Sequence, residues 1–302
     1  MAKLIQEGVS PNGWIYACLS KELKKGVVRG IVRSGHRIAL WRTKEGKAIS
    51  FYAKCPHMGA DLSHGKIEND HLTCPLHGWA YGSNGQCEKN KQATQFIVIE
   101  KYGAVFIWWG NGEPLFAFPE SPCDEKKSIK RNTESVSIQV HPILATVNGF
   151  DLEHLKTVHN FDYKIIEPLD LISPCVLQMK MNFIGSIEKF FPATAPDLTF
   201  QTFGVHICIL ESKSAFGHTW HILANYEEEV GQYKTIDIVL IEPRFLGTGW
   251  LIALFDQMIT NHVLEQDRYA LANWEPDREV LTDSPWPQYL EVVDGLKHYS
   301  PG

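Results

Sequence analysis

Cys55-Pro-His57 and Cys74-Pro-Leu-His77 each combine one thiol with one imidazole, and 16 residues separate His57 from Cys74. A glycine follows each histidine closely, Gly59 and Gly78, and glycine lets backbone N–H groups approach a metal centre. Zinc modules usually keep like with like, a cysteine pair followed by a histidine pair. Here thiol and imidazole alternate, which suits a two-iron, two-sulfide cluster with both cysteines on one iron and both histidines on the other. Neutral imidazoles raise the reduction potential of such a cluster above that of a four-thiolate one. A zinc site is the competing reading. His64 and His71, between the pairs, read as ordinary loop histidines. Cys18, Cys87, Cys123, Cys175 and Cys208 have no partner donor at short spacing and read as free thiols.

A second grouping is Asn148-Gly-Phe-Asp151-Leu-Glu-His154-Leu-Lys-Thr-Val-His159. At about 100° per residue, Asp151 and His154 share one face of a helix, whereas His154 and His159 stand about 140° apart. Both imidazoles can bind one ion only where the helix bulges or breaks. A π-bulge or irregular turn is therefore expected within 154–159. Two histidines five apart identify nothing by themselves.

The stretch Cys55–Trp79, CPHMGADLSHGKIENDHLTCPLHGW, resembles the Rieske [2Fe–2S] domain of the Rieske non-heme iron oxygenases through C-P-H-x-G-A and C-P-x-H-G-W. The downstream N-x2-D-x2-H-x4-H resembles the mononuclear-iron motif of the same family, and the similarity spans residues 10–120, 145–160 and 255–270. It implies that Cys55, His57, Cys74 and His77 hold the cluster. It also implies that His154 and His159 are two legs of a 2-His-1-carboxylate triad, which leaves open positions for O2. The third leg would come from the C-terminal helix, which offers Asp256, Glu265, Asp267 and Asp277. The family's acidic context there points to Asp267, with Glu265 as the alternative. By the same resemblance Asp151 is an inter-subunit electron bridge in a head-to-tail homotrimer. It would accept one hydrogen bond from a cluster histidine (His57 or His77) of the neighbouring protomer and another from His154 of its own. Asn148 would lie near the mononuclear iron.

The activity implied is that of the terminal oxygenase component of the monooxygenase-like branch. A reductase or ferredoxin, fed by NAD(P)H, would supply electrons, and O2 would hydroxylate, demethylate or desaturate a hydrophobic small molecule. Ring cis-dihydroxylation is the alternative outcome. An electron-transfer protein whose second half is a docking domain is the alternative of another class.

The elements that must position these residues are expected to form an α+β protein. Short strands with turns at Thr43–Lys47, Asn69-Asp70, Asn84-Gly85 and Tyr102-Gly103 fill an N-terminal all-β Rieske domain, residues 1–118. The polar run Glu120 to Glu134 marks the boundary of a catalytic domain, residues 119–302. There the resemblance implies a helix-grip arrangement, an antiparallel sheet closed by a long C-terminal helix. A helical pattern is expected around Asn148–His159. Extended stretches follow at Cys175–Phe183, Phe200–Leu210, Phe216–Asn225 and Thr235–Ile241. The long helix is expected over Gly249–Asn273, with Leu251, Leu254, Phe255, Met258, Ile259, Val263 and Leu264 near a 3.6-residue repeat. An apolar pocket would draw on Phe200–Leu210, Phe216–Asn225 and the helix faces, and Trp108, Trp109 and Trp220 read as core.

The 302 residues carry 29 Lys+Arg against 35 Asp+Glu, a net charge of −6, with 44% hydrophobic and 21% charged residues. That composition excludes intrinsic disorder, and the mild acidity argues against a non-specific nucleic-acid binder. No apolar run reaches the roughly 18 residues of a membrane span, and Met1–Glu7 lacks the apolar core of a secretion signal. An odd count of seven cysteines is a poor disulfide framework. A cytoplasmic location is the expectation.

Overall fold

A computed structural model describes residues 10–132, 136–184, 196–245, 247–272, 274–283 and 285–301. The expectations for Met1–Glu7, for Thr133 and Glu134, and for Asn273 lie outside these residues. The chain forms two units. One runs to Pro114 and also takes Tyr226–Gly231 and the residues from His298 onward; the other comprises Leu115–Asn225 and Gln232–Lys297. The short segments at 226–231 and from 298 thus pack with the N-terminal unit, although a linear boundary at 119 leaves them in the C-terminal part.

In the first unit, Gly13–Leu19, Ala104–Trp109 and Val98–Lys101 form one antiparallel sheet. Gln95–Phe96, Ala48–Tyr52, His36–Arg42 and Arg29–Arg33 form a second. Phe96 and Val98, only two residues apart, thus belong to different sheets. A third has very short strands from Lys66–Glu68 to Lys91–Gln92; the second Cys/His loop joins His71–Thr73 to Ala80–Tyr81 in it, and the first lies between Ala48–Tyr52 and Lys66–Glu68. Its first hairpin turns on Asn69 (φ 50°) and Asp70 (φ 64°), the left-handed pair of a two-residue turn that Asn and Asp tolerate. Trp41, Phe51, Leu62, Leu72 and Tyr81 are fully buried beneath these loops, with Cys55 and Cys74 in the same cluster. Trp108 and Trp109 are also buried, as expected of core residues.

The second unit is built on one large sheet. Its order is Ile129–Asn132, Tyr233–Pro243, Gly217–Glu227, Ile207–Lys213, Asp197–Phe203, Val176–Ile184, Asp162–Ser173, with Val136–Ile138 also paired to Tyr233–Pro243. The polar boundary run thus contains an edge strand at Ile129–Asn132. The expected single stretch Phe200–Leu210 is a hairpin, reversed at Gly204 (φ 63°). Asp162–Ser173, not among the expected extended stretches, is a further strand whose Tyr163, Ile165, Leu169 and Leu171 pack against the core.

Four helices accompany the sheet among the described residues: α1 (Pro142–Val147), α2 (Leu152–Thr157), α3 (Gly249–Ala270) and α4 (Trp286–Gly295). Pro285 and Pro287 lie at the start of α4, where a missing N–H costs nothing. The core joins α1 and α4 to the sheet through Leu144, Val147, Leu177, Tyr289 and Val292. Helix α3 occupies the expected span, but its apolar stripe is divided: Val263 and Leu264 are half-buried, while the part nearer the N-terminus is exposed. Leu251, Leu254, Phe255, Met258 and Ile259 are each 50–65% exposed. The inward face is led instead by Asp256, which pairs with Arg131 at 2.5 Å and with His221 at 3.0 Å. A polar network, not the hydrophobic repeat, sets the rotation of this half of the helix. No helix is long and apolar enough to cross a membrane among the described residues.

Candidate metal centres

The two Cys/His loops share one backbone pattern, offset by 19 residues. In the first, Gly59 N–H donates to Cys55 O (2.8 Å) and Cys55 N–H to Ala60 O (2.8 Å). In the second, Gly78 N–H donates to Cys74 O (3.1 Å) and Cys74 N–H to Trp79 O (2.8 Å). Both glycines have positive φ, 74° and 68°. A Cβ at Gly59 would meet only the Lys54 side chain, and one at Gly78 nothing within 4 Å. Left-handed backbone, not crowding, is what reserves these positions for glycine. The histidines occupy different places on the shared frame: His57 is third in its loop and His77 fourth. Met58 and Leu76 fill the complementary places and are 69% and 56% exposed.

The donor set is polarised in depth. Cys55 and Cys74 are buried, His57 is half-buried and His77 is exposed. The two imidazole rings lie 4.8 Å apart, and Trp79 stacks on His57 at 3.8 Å and 7°. Tyr81 places its hydroxyl 3.1 Å from Cys55 Sγ, and the hydroxyl is the donor once that sulfur is a thiolate. Burial pushes the Cys74 thiol up, while backbone hydrogen bonds at Leu76 and His77 pull it down. Among the described residues, no three of these four donors draw within 4.8 Å of one another. A single tetrahedral ion needs donors about 3.3–3.8 Å apart, so the arrangement fits a two-iron cluster, with sulfur donors inside and nitrogen donors toward the surface, better than zinc.

The second centre is built on a broken helix. His141 caps α1 by accepting from Ile143 N–H, and a 3-10 turn, Asn148–Phe150, leads into α2. Asp151 is the N-cap of α2, its Oδ1 accepting from His154 N–H at 3.0 Å. The Asp-x2-His spacing is thus a capping spacing as well, with His154 in the first turn. The helix ends at Thr157. Asn160 (φ 54°) then reverses the chain, and Phe161 N–H reaches back to Leu155 O at 3.1 Å. The expected break is therefore an irregular turn after the helix, without a π-bulge, and it brings His159 alongside His154.

Asp267, from α3, meets both imidazoles. Its Oδ1 is 2.8 Å from His154 Nε2 and 3.0 Å from His159 Nε2, and the two Nε2 atoms are 3.2 Å apart. Donors held cis to one ion at about 2.1 Å stand about 3.0 Å apart, against about 3.4 Å for a tetrahedron. The three separations bracket the cis value, which fits one face of an octahedron. Glu265, the alternative, points away and meets Arg268 at 3.6 Å. Asp277 is not among the converging donors, and Asp256 is committed to His221 and Arg131. Asn148 Nδ2 lies 2.8 Å from His154 Nε2 and 3.2 Å from Asp267 Oδ1.

Burial alone would lower the His159 pKa, but hydrogen bonds to Asp267 and Gln266 and the Asp267 charge raise it. Burial likewise opposes the Asp267 carboxylate, and the two histidines outweigh it and hold its pKa down. Sequence reasoning missed Gln266, whose Oε1 is 3.0 Å from His159 Nδ1. Its signal was its place beside Asp267. Accepting the Nδ1 proton leaves the Nε2 lone pair for an ion. Gln266→Leu is expected to weaken iron retention about 10–100-fold, measurable by chelator competition, with the cluster spectrum unchanged.

His159, Asp267 and Asn148 border a cavity of about 530 Å³. Its walls are largely apolar, including Leu155, Phe161, Phe200, Leu210, Leu223 and Val263. The expected stretches contribute, although Phe216 is exposed and Trp220 is core. One wall is charged: His221 is held by Asp237 at Nδ1 (3.2 Å) and Asp256 at Nε2 (3.0 Å). Burial would lower the His221 pKa, but the two aspartates raise it to about 10. Its contribution to stability is therefore complete below about pH 6.5 and is lost as pH rises toward about 10. His221→Leu is expected to cost about 3–5 kcal/mol in chemical denaturation at pH 7, because it removes the imidazole that both buried aspartates pair with.

Residues 13–103 match the family described as the Rieske [2Fe-2S] domain. The chain is 34% identical to cholesterol 7-desaturase of Hemicentrotus pulcherrimus over 168 residues, 50% of this chain and 36% of that protein. It is 33% identical to the oxygenase component of 3-ketosteroid-9-alpha-monooxygenase of Rhodococcus rhodochrous over 106 residues, 32% of this chain and 28% of that one. The matched regions thus span about a third of these curated relatives. Among solved structures, dicamba monooxygenase bound to 3,6-dichlorosalicylic acid superposes with a TM-score of 0.67 at 17% identity, covering 94% of this chain and 95% of that one. NdmA of Pseudomonas putida CBB5, a mutant with theobromine, gives 0.68 at 16% identity, covering 93% and 88%.

Proposed function

We propose, from the premise that this chain is a Rieske oxygenase terminal component, that it is an enzyme that hydroxylates, demethylates or desaturates a hydrophobic small molecule. It would use O2 and electrons passed from NAD(P)H by a reductase or ferredoxin. One observation carries the reading: His154, His159 and Asp267 converge at the wall of an apolar cavity in a chain that also bears the paired Cys/His loops.

In this reading Cys55, His57, Cys74 and His77 hold a [2Fe–2S] cluster, and His154, His159 and Asp267 hold iron(II). When bound, the cluster supplies single electrons and the iron supplies O2 activation at positions its three protein ligands leave free. The protein's own contributions are separate from that chemistry. Gln266 fixes the His159 tautomer and Asn148 borders the donor triangle. The apolar walls exclude water and hold the substrate carbon skeleton near the donors. Asp151 is the proposed bridge between protomers, its carboxylate half-exposed at the start of the helix that carries His154. Assembly into a homotrimer belongs to the proposal, and the outward stripe of α3 is apolar surface that an assembly could cover. A reducing, cytoplasmic setting is part of the reading, and none of the seven cysteines is in a disulfide.

The test is O2 uptake and NAD(P)H oxidation with a surrogate reductase, across a panel of sterols, ketosteroids and aromatic acids. Uptake stimulated by one member, with an oxidised product, is the expected outcome. An iron content of about two per chain with no uptake would instead fit an electron carrier, and a colourless zinc protein would end the proposal.

A further inference from the structure

Cys123, read from sequence as a solitary thiol, has partners from distant strands. One donor atom each from Cys123, His218 and Glu242 lies within 4.8 Å of the other two. Cys123 is 5% exposed and precedes the edge strand Ile129–Asn132; His218 begins Gly217–Glu227, and Glu242 nearly ends Tyr233–Pro243. Glu242 also accepts from Asp124 N–H at 2.9 Å, which ties the cysteine-bearing segment to that strand. Glu211, on the next strand, has Oε1 2.8 Å from His218 Nε2. Carboxylate–imidazole pairs of this kind orient metal-bound histidines.

The group is separate from the cavity. Thr219, His221, Leu223 and Asn225 of the same strand line the cavity, and His218 is out of phase with them. Successive side chains of a strand point to opposite faces of its sheet.

We propose that Cys123, His218 and Glu242 form a second metal site that takes Zn²⁺, with a solvent molecule as the fourth ligand. A thiolate, an imidazole and a carboxylate suit a borderline-soft ion, and bonds of about 2.0–2.3 Å would draw the donors to about 3.3–3.6 Å apart. Binding replaces the Cys123 S–H bond with an S–Zn bond and one ring N–H bond of the protonated His218 with an N–Zn bond, and releases both protons to solvent. The site clamps the segment at Cys123 to the ends of two sheet strands.

The test uses the full chain with its iron sites filled, titrated with Zn²⁺ alone and desalted. The expected result is one retained zinc per chain by mass spectrometry, a Zn–S distance of about 2.3 Å by X-ray absorption, and proton release on binding. Cys123→Ser should retain none, and Glu242→Gln should bind at least about tenfold more weakly. Equal retention by wild type and both variants, a zinc shell without sulfur, or no retained zinc would overturn the site. Glu242→Gln keeps the question answerable if Cys123→Ser does not fold.

Discussion

His154→Ala is expected to lower the iron content from about three to about two per chain and to abolish substrate-dependent O2 uptake. Its Nε2 is one corner of the donor triangle, 2.8 Å from Asp267 and 3.2 Å from His159. Two remaining donors cannot compete with solvent ligands and chelators as three do. Losing only a partner of a metal-bound imidazole costs about 10–100-fold, so losing the imidazole sets that range as a lower bound. Stability should change little, because the site is lined by polar groups and no core methylene is removed. The dithionite-reduced cluster should keep its EPR signal, since its four donors lie in the other unit. Retention of all three irons, with O2 uptake intact, would falsify the assignment of the triad.

The readability of this protein follows from which constraints are local. The cluster loops are determined within 25 residues, and the two-residue turn Asn69-Asp70 and the positive-φ Gly59 and Gly78 each carry a residue preference of their own. The triad needed one distant partner. Whether Asp267 or Glu265 faces the two histidines is a question of helix phase, and Asp267 is the carboxylate that meets them, where the motif alone left two candidates. Helix α3 defeated periodicity for a physical reason. Its stripe at Leu251, Leu254, Phe255 and Met258 has the repeat of a buried face, yet the Asp256–Arg131–His221 network holds the opposite side against the sheet. Turning the stripe inward would take the Asp256 carboxylate away from the buried Arg131 and His221, and breaking a buried pair of this kind costs several kcal/mol. Gln266 and the Cys123–His218–Glu242 group depend on contacts between elements far apart in the chain, and no local pattern encodes them.

Asp151 carries two roles that one pair of substitutions can part. Its carboxylate caps α2 through His154 N–H at 3.0 Å, and the proposed bridge would use the same carboxylate toward a cluster histidine of the neighbouring protomer. Asparagine caps helices about as well as aspartate, whereas alanine costs about 1 kcal/mol. Asp151→Asn should therefore unfold within about 0.5 kcal/mol of wild type, with Asp151→Ala about 1 kcal/mol lower, in denaturant titrations. If capping were the whole role, Asn would preserve turnover and Ala would lose little, for the helix is also held by Leu155 in the core. If the carboxylate also links the two centres, both variants should keep about three irons and a reducible cluster. In rapid mixing of reduced protein with substrate and O2, both should then oxidise the cluster at least about 100-fold more slowly, because an amide cannot replace the charged acceptor that holds an imidazole N–H across an interface. A normal cluster-oxidation rate in Asp151→Asn would confine this residue to its cap and require another route between protomers.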